Sequence, residues 1–230
     1  FPESFIYYRP KERLSGDFYW FDTIQHNGEK SHLVAAIDCT GHGVPGALMS
    51  IIAKDGMNDA VRGKKFTDPG QILHHLNDVT INTLNKQNNP DNLKDGMDMA
   101  LVTIIPEKKK IYFAGARNPL YLLRNNEVHI TKGSIFSAGT LAQEDMPVTF
   151  ESHEIDYKEN DIIYLFSDGF ADQFGGEEGK KFRYKRFRDM MQKIVHLPVE
   201  TQKEHVETVF EEWKGDWDQI DDVLLMGIRL

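Results

Sequence analysis

Two apolar runs in this chain end on an aspartate with glycine close behind. Residues 33–37 run into Asp38, and residues 162–166 run through Ser167 into Asp168-Gly169. Two further strand-like runs begin at aspartates, Asp17 before Phe18-Tyr19-Trp20-Phe21 and Asp221 before Asp222-Val223-Leu224-Leu225. In antiparallel neighbours the end of one strand and the start of the next share a rim, so these four carboxylates can collect at one edge of a fold. Unpaired acids held that close repel one another, and their proton affinities rise. A divalent cation relieves the repulsion, and an all-oxygen site suits magnesium or manganese rather than zinc. A single strand-end aspartate is more often a turn cap. Four of them framing the most apolar strands favour the metal.

The stretch Ile37-Asp38-Cys39-Thr40-Gly41-His42-Gly43-Val44-Pro45-Gly46 narrows the chemistry further. It reads as strand, glycine turn and helix start, a junction that three other chemistries also use. A phosphate-cradling P-loop needs Lys and then Ser or Thr after its last glycine, but Ala47 and Leu48 stand there. Gly41, Gly43 and Gly46 match a dinucleotide fingerprint literally, yet Asp38 would sit beside the pyrophosphate and repel it. A cysteine phosphatase built on Cys39 would want an arginine six positions on, where the chain has Pro45. Asp38 as a metal ligand survives these exclusions.

The elements that must position these acids follow from periodicity and turn chemistry. Residues 5–8 read as a short strand stopped by Pro10, and Asn27-Gly28 as a hairpin turn between the aromatic strand and residues 33–38. Residues 47–61 read as an amphipathic helix with Leu48, Ile51, Ile52 and Ala60 on its apolar face. Thr67-Asp68-Pro69 starts another helix, and 86–94 reads as a polar loop. Short strands follow at 99–105, 111–114, 120–123 and 128–130. Residues 161–168 and 221–228 are apolar on both faces, as fully covered strands are. Between them, 170–184 reads as a long surface flap, followed by helices at 186–196 and 200–213. With no repeat or linker, residues 1–230 are expected to form a single domain.

Composition sets the remaining bounds. The 230 residues carry a net charge of -9, which argues against a nucleic-acid partner. No apolar run approaches the roughly 18 residues of a membrane span, so no membrane contact is expected of this domain. One cysteine allows no internal disulfide, consistent with a cytoplasmic setting. Opening on Phe1, the chain is expected to be the C-terminal part of a longer signalling protein.

Four motifs together, Leu14-Ser15-Gly16-Asp17-Phe18-Tyr19-Trp20, Asp38 to Ala47, Ser167-Asp168-Gly169 and Asp221-Asp222-Val223, resemble the metal-dependent protein phosphatases, specifically their bacterial SpoIIE/RsbU branch. The resemblance runs essentially end to end. It implies an α+β fold, a four-layer αββα sandwich of two mainly antiparallel sheets flanked by helices. It also implies a serine/threonine phosphatase acting on a phosphorylated regulatory protein, such as an anti-sigma-factor antagonist, behind an upstream sensory or signalling domain. Two Mn2+ or Mg2+ ions are implied, with Asp38 bridging them and the Cys39 carbonyl on one. Asp168 and Asp221 complete the first ion and Asp17 helps the second; Asp95 or Asp98 would hold a third, weaker one. Such a pair activates a water for in-line attack on phosphorus. His42 stands four residues after Asp38, a spacing different from that of the eukaryotic general-acid histidine, so a turn role competes with a catalytic one. Arg9 and Arg13 are the candidates for a phosphate-binding arginine. Oligomerisation is left open, and two other readings stay beside this one: a silent phosphatase-fold binding module, and a small-molecule metal phosphoesterase.

Overall fold

The computed structural model describes residues 3–26, 28–85, 95–142 and 146–230. In chain order the strands of the first half are β1 (Ser4–Arg9), β2 (Phe18–His26) and β3 (Glu29–Cys39). Helices α1 (Gly43–Asn58) and α2 (Pro69–Thr83) follow, and then β4 (Met97–Ile105), β5 (Lys110–Ala116), β6 (Leu120–Arg124), β7 (Glu127–Thr131) and β8 (His153–Asp156). The last part holds β9 (Ile162–Phe166), a single helical turn α3 (Gly169–Asp172), the two-residue strands β10 (Phe174–Gly175) and β11 (Lys180–Lys181), helices α4 (Arg183–Ile194) and α5 (Val199–Lys214), and β12 (Val223–Arg229).

The large strands form two antiparallel sheets, in the orders β1-β12-β9-β6-β7 and β2-β3-β4-β5-β8. Alternation along each strand explains why the central ones are apolar on both faces. In β3, Leu33, Ala35 and Ile37 pack under α1 and α2 with Met49, Met57, Leu73 and Leu76. The intervening Val34 and Ala36 meet Ile163, Leu165, Leu224 and Met226 of the other sheet. On the far side, Tyr164, Phe166, Val223 and Leu225 pack against Phe187, Met191, Val206 and Phe210 of α4 and α5. The result is helices, sheet, sheet, helices, the layering that the motif resemblance implied.

Four local readings change. Helix α1 starts at Gly43 rather than Ala47, ends at Asn58 and passes into one π-helical turn, Asp59–Gly63. Its buried face is Met49, Ala53, Gly56 and Met57, while Leu48 and Ile51 are more than half exposed. Of the four expected apolar positions, Ala60 is buried and Ile52 packs on the core, but Leu48 and Ile51 face outward because two adjacent faces of this helix are apolar, and the small residues Ala53 and Gly56 let the sheet and α2 come close on one of them. The segment 170–184 is not a surface flap: Phe170 and Phe182 are buried, their rings 5.1 Å apart, and β10 and β11 form a small hairpin. Strand β8, polar at alternate positions on the sheet edge, is an element the sequence reading lacked. The hairpin expected at Asn27-Gly28 fits the pairing of His26 with Glu29, though Asn27 lies outside the described residues, as does the loop 86–94.

Candidate active site

Register places the acids. Phe18 pairs with Ile37, so the residue before β2, Asp17, stands across from Asp38; Asp38 in turn pairs with Asp98 of β4. Asp38 and Asp98 share the parity of Val34, Ala36, Ala100 and Val102, which face the second sheet. Side chains on one face of a strand recur every two residues, so both are carried to the space between the sheets at its end. From the opposite sheet, Asp168 follows β9 and Asp221 precedes β12, and those strands are antiparallel neighbours. The four expected acids therefore approach one rim from two sheets. A cavity of about 340 Å3 there is lined by Asp38, Cys39, His42, Asp168 and Asp221, together with Asp98, Arg117 and Ser137.

Close backbone approach is what allows this convergence. A Cβ on Gly169 would lie 1.9 Å from the Asp222 carbonyl oxygen, so glycine after Asp168 lets the turn pack onto the start of β12. A Cβ on Gly46 would lie 2.2 Å from the Gly41 carbonyl oxygen, so a side chain there would push apart the turn that follows Asp38. Asp222, only 2 % exposed, accepts hydrogen bonds from Lys11 N–H (2.7 Å, Oδ1) and Gly16 N–H (2.9 Å, Oδ2). It thereby fastens the segment leading to Asp17, while its neighbour Asp221 opens onto the cavity.

The electrostatics match a cluster of under-compensated acids. Burial pushes Asp17 up to about 7, with the carboxylates of Asp222 and Asp221 adding to the effect. Burial raises Asp38 well above its ordinary value, reinforced by Asp17, Asp168, Asp221 and Asp98. Asp168 is pushed up to about 6 by burial and then by Asp221, and Asp221 is raised by burial and by Asp222. Asp98 is also raised by burial, although Ser137 and Arg117 oppose the shift. Asp17 Oδ2 is buried without a hydrogen-bond partner among the described residues.

These donors fit a hard divalent cation. They are carboxylate oxygens, one is orphaned in the interior, and the charged state of the set lacks compensation. As they stand, no three His, Cys, Asp or Glu side chains among the described residues converge on a single point at coordinating distance. Asp38, Asp98, Asp168 and Asp221 share the cavity, and Asp17 does not line it. Cys39 contributes no thiol: its side chain belongs to the helix-side core, and burial, with Asp38 adding, pushes the thiol up and keeps it protonated. Its carbonyl is the donor left to it.

Other sequence expectations place differently. His42 is half exposed before α1, its Nδ1 2.7 Å from Glu12 Oε1; no motif marks that partner, which lies thirty positions away. Asp98 reaches the cavity and Asp95 does not line it. Arg9 is paired with Glu211 and lies over the Phe210 ring, and Arg13 is exposed; neither lines the cavity. Arg117 does, and no motif around Ala116-Arg117-Asn118 marked it. Adjacent His74 and His75 go separate ways, His74 accepting from Phe150 N–H and His75 meeting Asp59.

Comparison with known proteins agrees with this fold. The model of the family described as "Stage II sporulation protein E (SpoIIE)" matches residues 28–230. Among solved structures, the SiaA-PP2C domain of Pseudomonas aeruginosa is 30% identical, with a TM-score of 0.86 over 99% of this chain and 85% of that one. A Bacillus subtilis SpoIIE structure, comprising the PP2C phosphatase domain and a fragment of the regulatory domain, is 14% identical, with a TM-score of 0.74 over 99% of this chain and 63% of that one. The RsbU and RsbW domains of a Mycobacterium tuberculosis protein give 17% identity and a TM-score of 0.71, over 99% and 60% respectively. A search of curated proteins returned no match. The chain belongs to the SpoIIE family of PP2C-type, metal-dependent serine/threonine protein phosphatases, and is a phosphoprotein phosphatase by class. Among the described residues no helix is long and apolar enough to cross a membrane.

Proposed function

We propose that residues 1–230 act as one phosphatase unit on a phosphorylated regulatory protein of the anti-sigma-factor-antagonist kind, in the cytoplasm, under an upstream signalling region. The observation carrying the site assignment is the convergence of Asp38, Asp168 and Asp221 from two sheets on one cavity, with Asp17 across from Asp38 in the register and its Oδ2 orphaned among the described residues. In this reading Asp38, Asp168, Asp221, Asp17 and the Cys39 carbonyl would hold a pair of Mn2+ or Mg2+ ions, with Asp38 contributing to both. When bound, such a pair supplies a water of lowered pKa and neutralises charge on the phosphoryl oxygens. The chain's own part is positioning. The central strands hold Asp38 rigidly, Asp222 fixes the approach of Asp17, and the Glu12–His42 pair stands at the cavity edge, where a leaving oxygen could take a proton from the imidazole. Asp98, with Ser137 and Arg117 beside it, is the place for a weaker third ion.

The exposed apolar face of α1, Val44, Leu48 and Ile51, follows directly from the turn after Asp38 and is where an upstream region would act. A shift there would move Asp38 and Cys39 and so alter ion occupancy. The purified domain, assayed with manganese on a phosphoserine peptide and on a small aryl phosphate, tests the reading. Turnover of the peptide that vanishes with chelator supports it; efficient turnover of the aryl phosphate alone would point to a small-molecule phosphoesterase.

A further inference from the structure

Four carboxylates, Asp38, Asp98, Asp168 and Asp221, and a histidine line the cavity, and among the described residues Arg117 is the one Lys or Arg that lines it. A phosphoryl group entering carries its own negative charge into this acidic setting, so a fixed cation at the rim has a defined task. Arg117 Nε lies 3.3 Å from Asp98 Oδ2, and the side chain is 60% exposed. Its terminal NH2 groups make no hydrogen bond to the described residues. On its other oxygen, Asp98 already accepts from Ser137 Oγ, so it keeps a partner if the arginine moves away.

The backbone adds a second observation. Arg117 holds φ at +60°, in the left-handed region that side chains rarely adopt. Two neighbours lock it there: Arg117 N–H donates to Ser134 O (2.8 Å), and Ser134 N–H donates to Gly115 O (2.7 Å). Lys65, Lys109 and Arg183 also hold a positive φ; among these residues Arg117 is the one that lines the cavity, so its fixed backbone sets where the guanidinium can reach.

The geometry points to Arg117 as the phosphoryl-binding residue of this chain: its guanidinium exchanges the Asp98 carboxylate for oxygens of the substrate's phosphoryl group. This rests on the phosphatase reading. A guanidinium suits the task because its planar fork meets two phosphate oxygens at once, whereas Lys would offer a single point charge. The arginines that the sequence suggested lie elsewhere, so no other described guanidinium competes for the role.

The test is calorimetric titration of inorganic phosphate into the Mn2+-loaded domain, for wild type, Arg117→Ala and Arg117→Lys. None of these residues is β-branched, so the left-handed backbone is no worse in the variants. Phosphate affinity should fall roughly ten- to a hundredfold in Arg117→Ala and by less in Arg117→Lys, while affinity for the Mn2+ pair assigned to Asp17, Asp38, Asp168 and Asp221 stays within about twofold. Unchanged phosphate affinity in a folded Arg117→Ala overturns the assignment, and that measurement needs no turnover. Should Arg117→Ala not fold, Arg117→Lys carries the same reading through its smaller loss. In kinetics, KM for a phosphoserine peptide and for an aryl phosphate should rise together, with kcat changing less. A rise confined to the peptide would place Arg117 on the polypeptide instead and also overturn the proposal. An inactive wild type that still binds phosphate through Arg117 would count against the phosphatase reading alone.

Discussion

The Gly16 amide donates to Asp222 Oδ2 at 2.9 Å, joining the residue just before Asp17 to the residue just after Asp221. The adjacent aspartates thus divide their labour: Asp222 is consumed by backbone amides in the interior, and Asp221 faces the cavity. Asp221→Asn should nearly abolish turnover and weaken manganese binding. Asp222→Asn leaves a buried amide against two N–H donors, of which its single oxygen can satisfy one. The expected cost is about 1–3 kcal/mol of stability, with activity down about 10–100-fold rather than lost. Calorimetry and peptide dephosphorylation over a manganese titration separate the two. The assignment is reversed if Asp222→Asn is the variant that loses the metal.

Cys39 supports a second prediction. Its thiol is buried with the helix-side core and held protonated, so hydrolysis should stop with chelator yet persist in Cys39→Ser. The serine hydroxyl enters an apolar site, and the unfolding midpoint should drop by the equivalent of about 1–3 kcal/mol. Inactivity of a folded, metal-loaded Cys39→Ser would revive a thiol nucleophile.

The raised acids make stability depend on pH in a direction that can be worked out. Unfolded aspartates titrate at about 3.9, whereas Asp168 is pushed up to about 6 and Asp17 to about 7, and burial with the neighbouring acids raises Asp38 well above its ordinary value. Above the unfolded value the folded state binds the extra protons, so their stabilising effect is full below about 4 and is lost as pH rises through the folded values. With chelator present, the thermal midpoint should fall between about pH 5 and 8, and Asp38→Asn should flatten the trend. Saturating Mn2+ should reverse it, because ions favour the charged acids and compete with protons. A chelated protein that grows more stable over that interval would contradict the electrostatic account.

The sequence showed the acids more clearly than the surfaces around them. Asp17, Asp38, Asp168 and Asp221 were legible because each interrupts an apolar strand run at its end, and strand pairing then dictates a common rim. The burial of Leu48 and Ile51 was misjudged because apolar residues cover two faces of α1, and only the packing of Ala53 and Gly56 decides between them. The segment 170–184 looked like a flap on its glycines and charges, yet Gly175 and Gly176 serve to bring the chain against Trp213. Arg117 and Glu12 stayed invisible since each meets the site through a partner far off in sequence, Asp98 by an ion pair and His42 by a hydrogen bond.

Gly169 tests whether the two halves of the acid cluster depend on one backbone contact. Its backbone is not left-handed, so Gly169→Ala carries no φ penalty; the difficulty is the Asp222 carbonyl, 1.9 Å from where the new Cβ would sit. That oxygen is main chain and cannot rotate aside, so either the turn bearing Asp168 or the start of β12 must shift. Overpacking of this kind costs typically 1–3 kcal/mol. Because Asp168 directly precedes the glycine and Asp221 precedes Asp222, the displacement separates two acids assigned to the ion pair. Gly169→Ala should therefore lower the thermal midpoint and also weaken manganese binding by tenfold or more. Gly28→Ala is the control: nothing lies within 4 Å of its new Cβ, and only the left-handed φ of +83° penalises it. It should lose stability while keeping wild-type manganese affinity. If Gly169→Ala loses stability in the same way but binds manganese as wild type does, Asp168 and Asp221 are not held together by this contact.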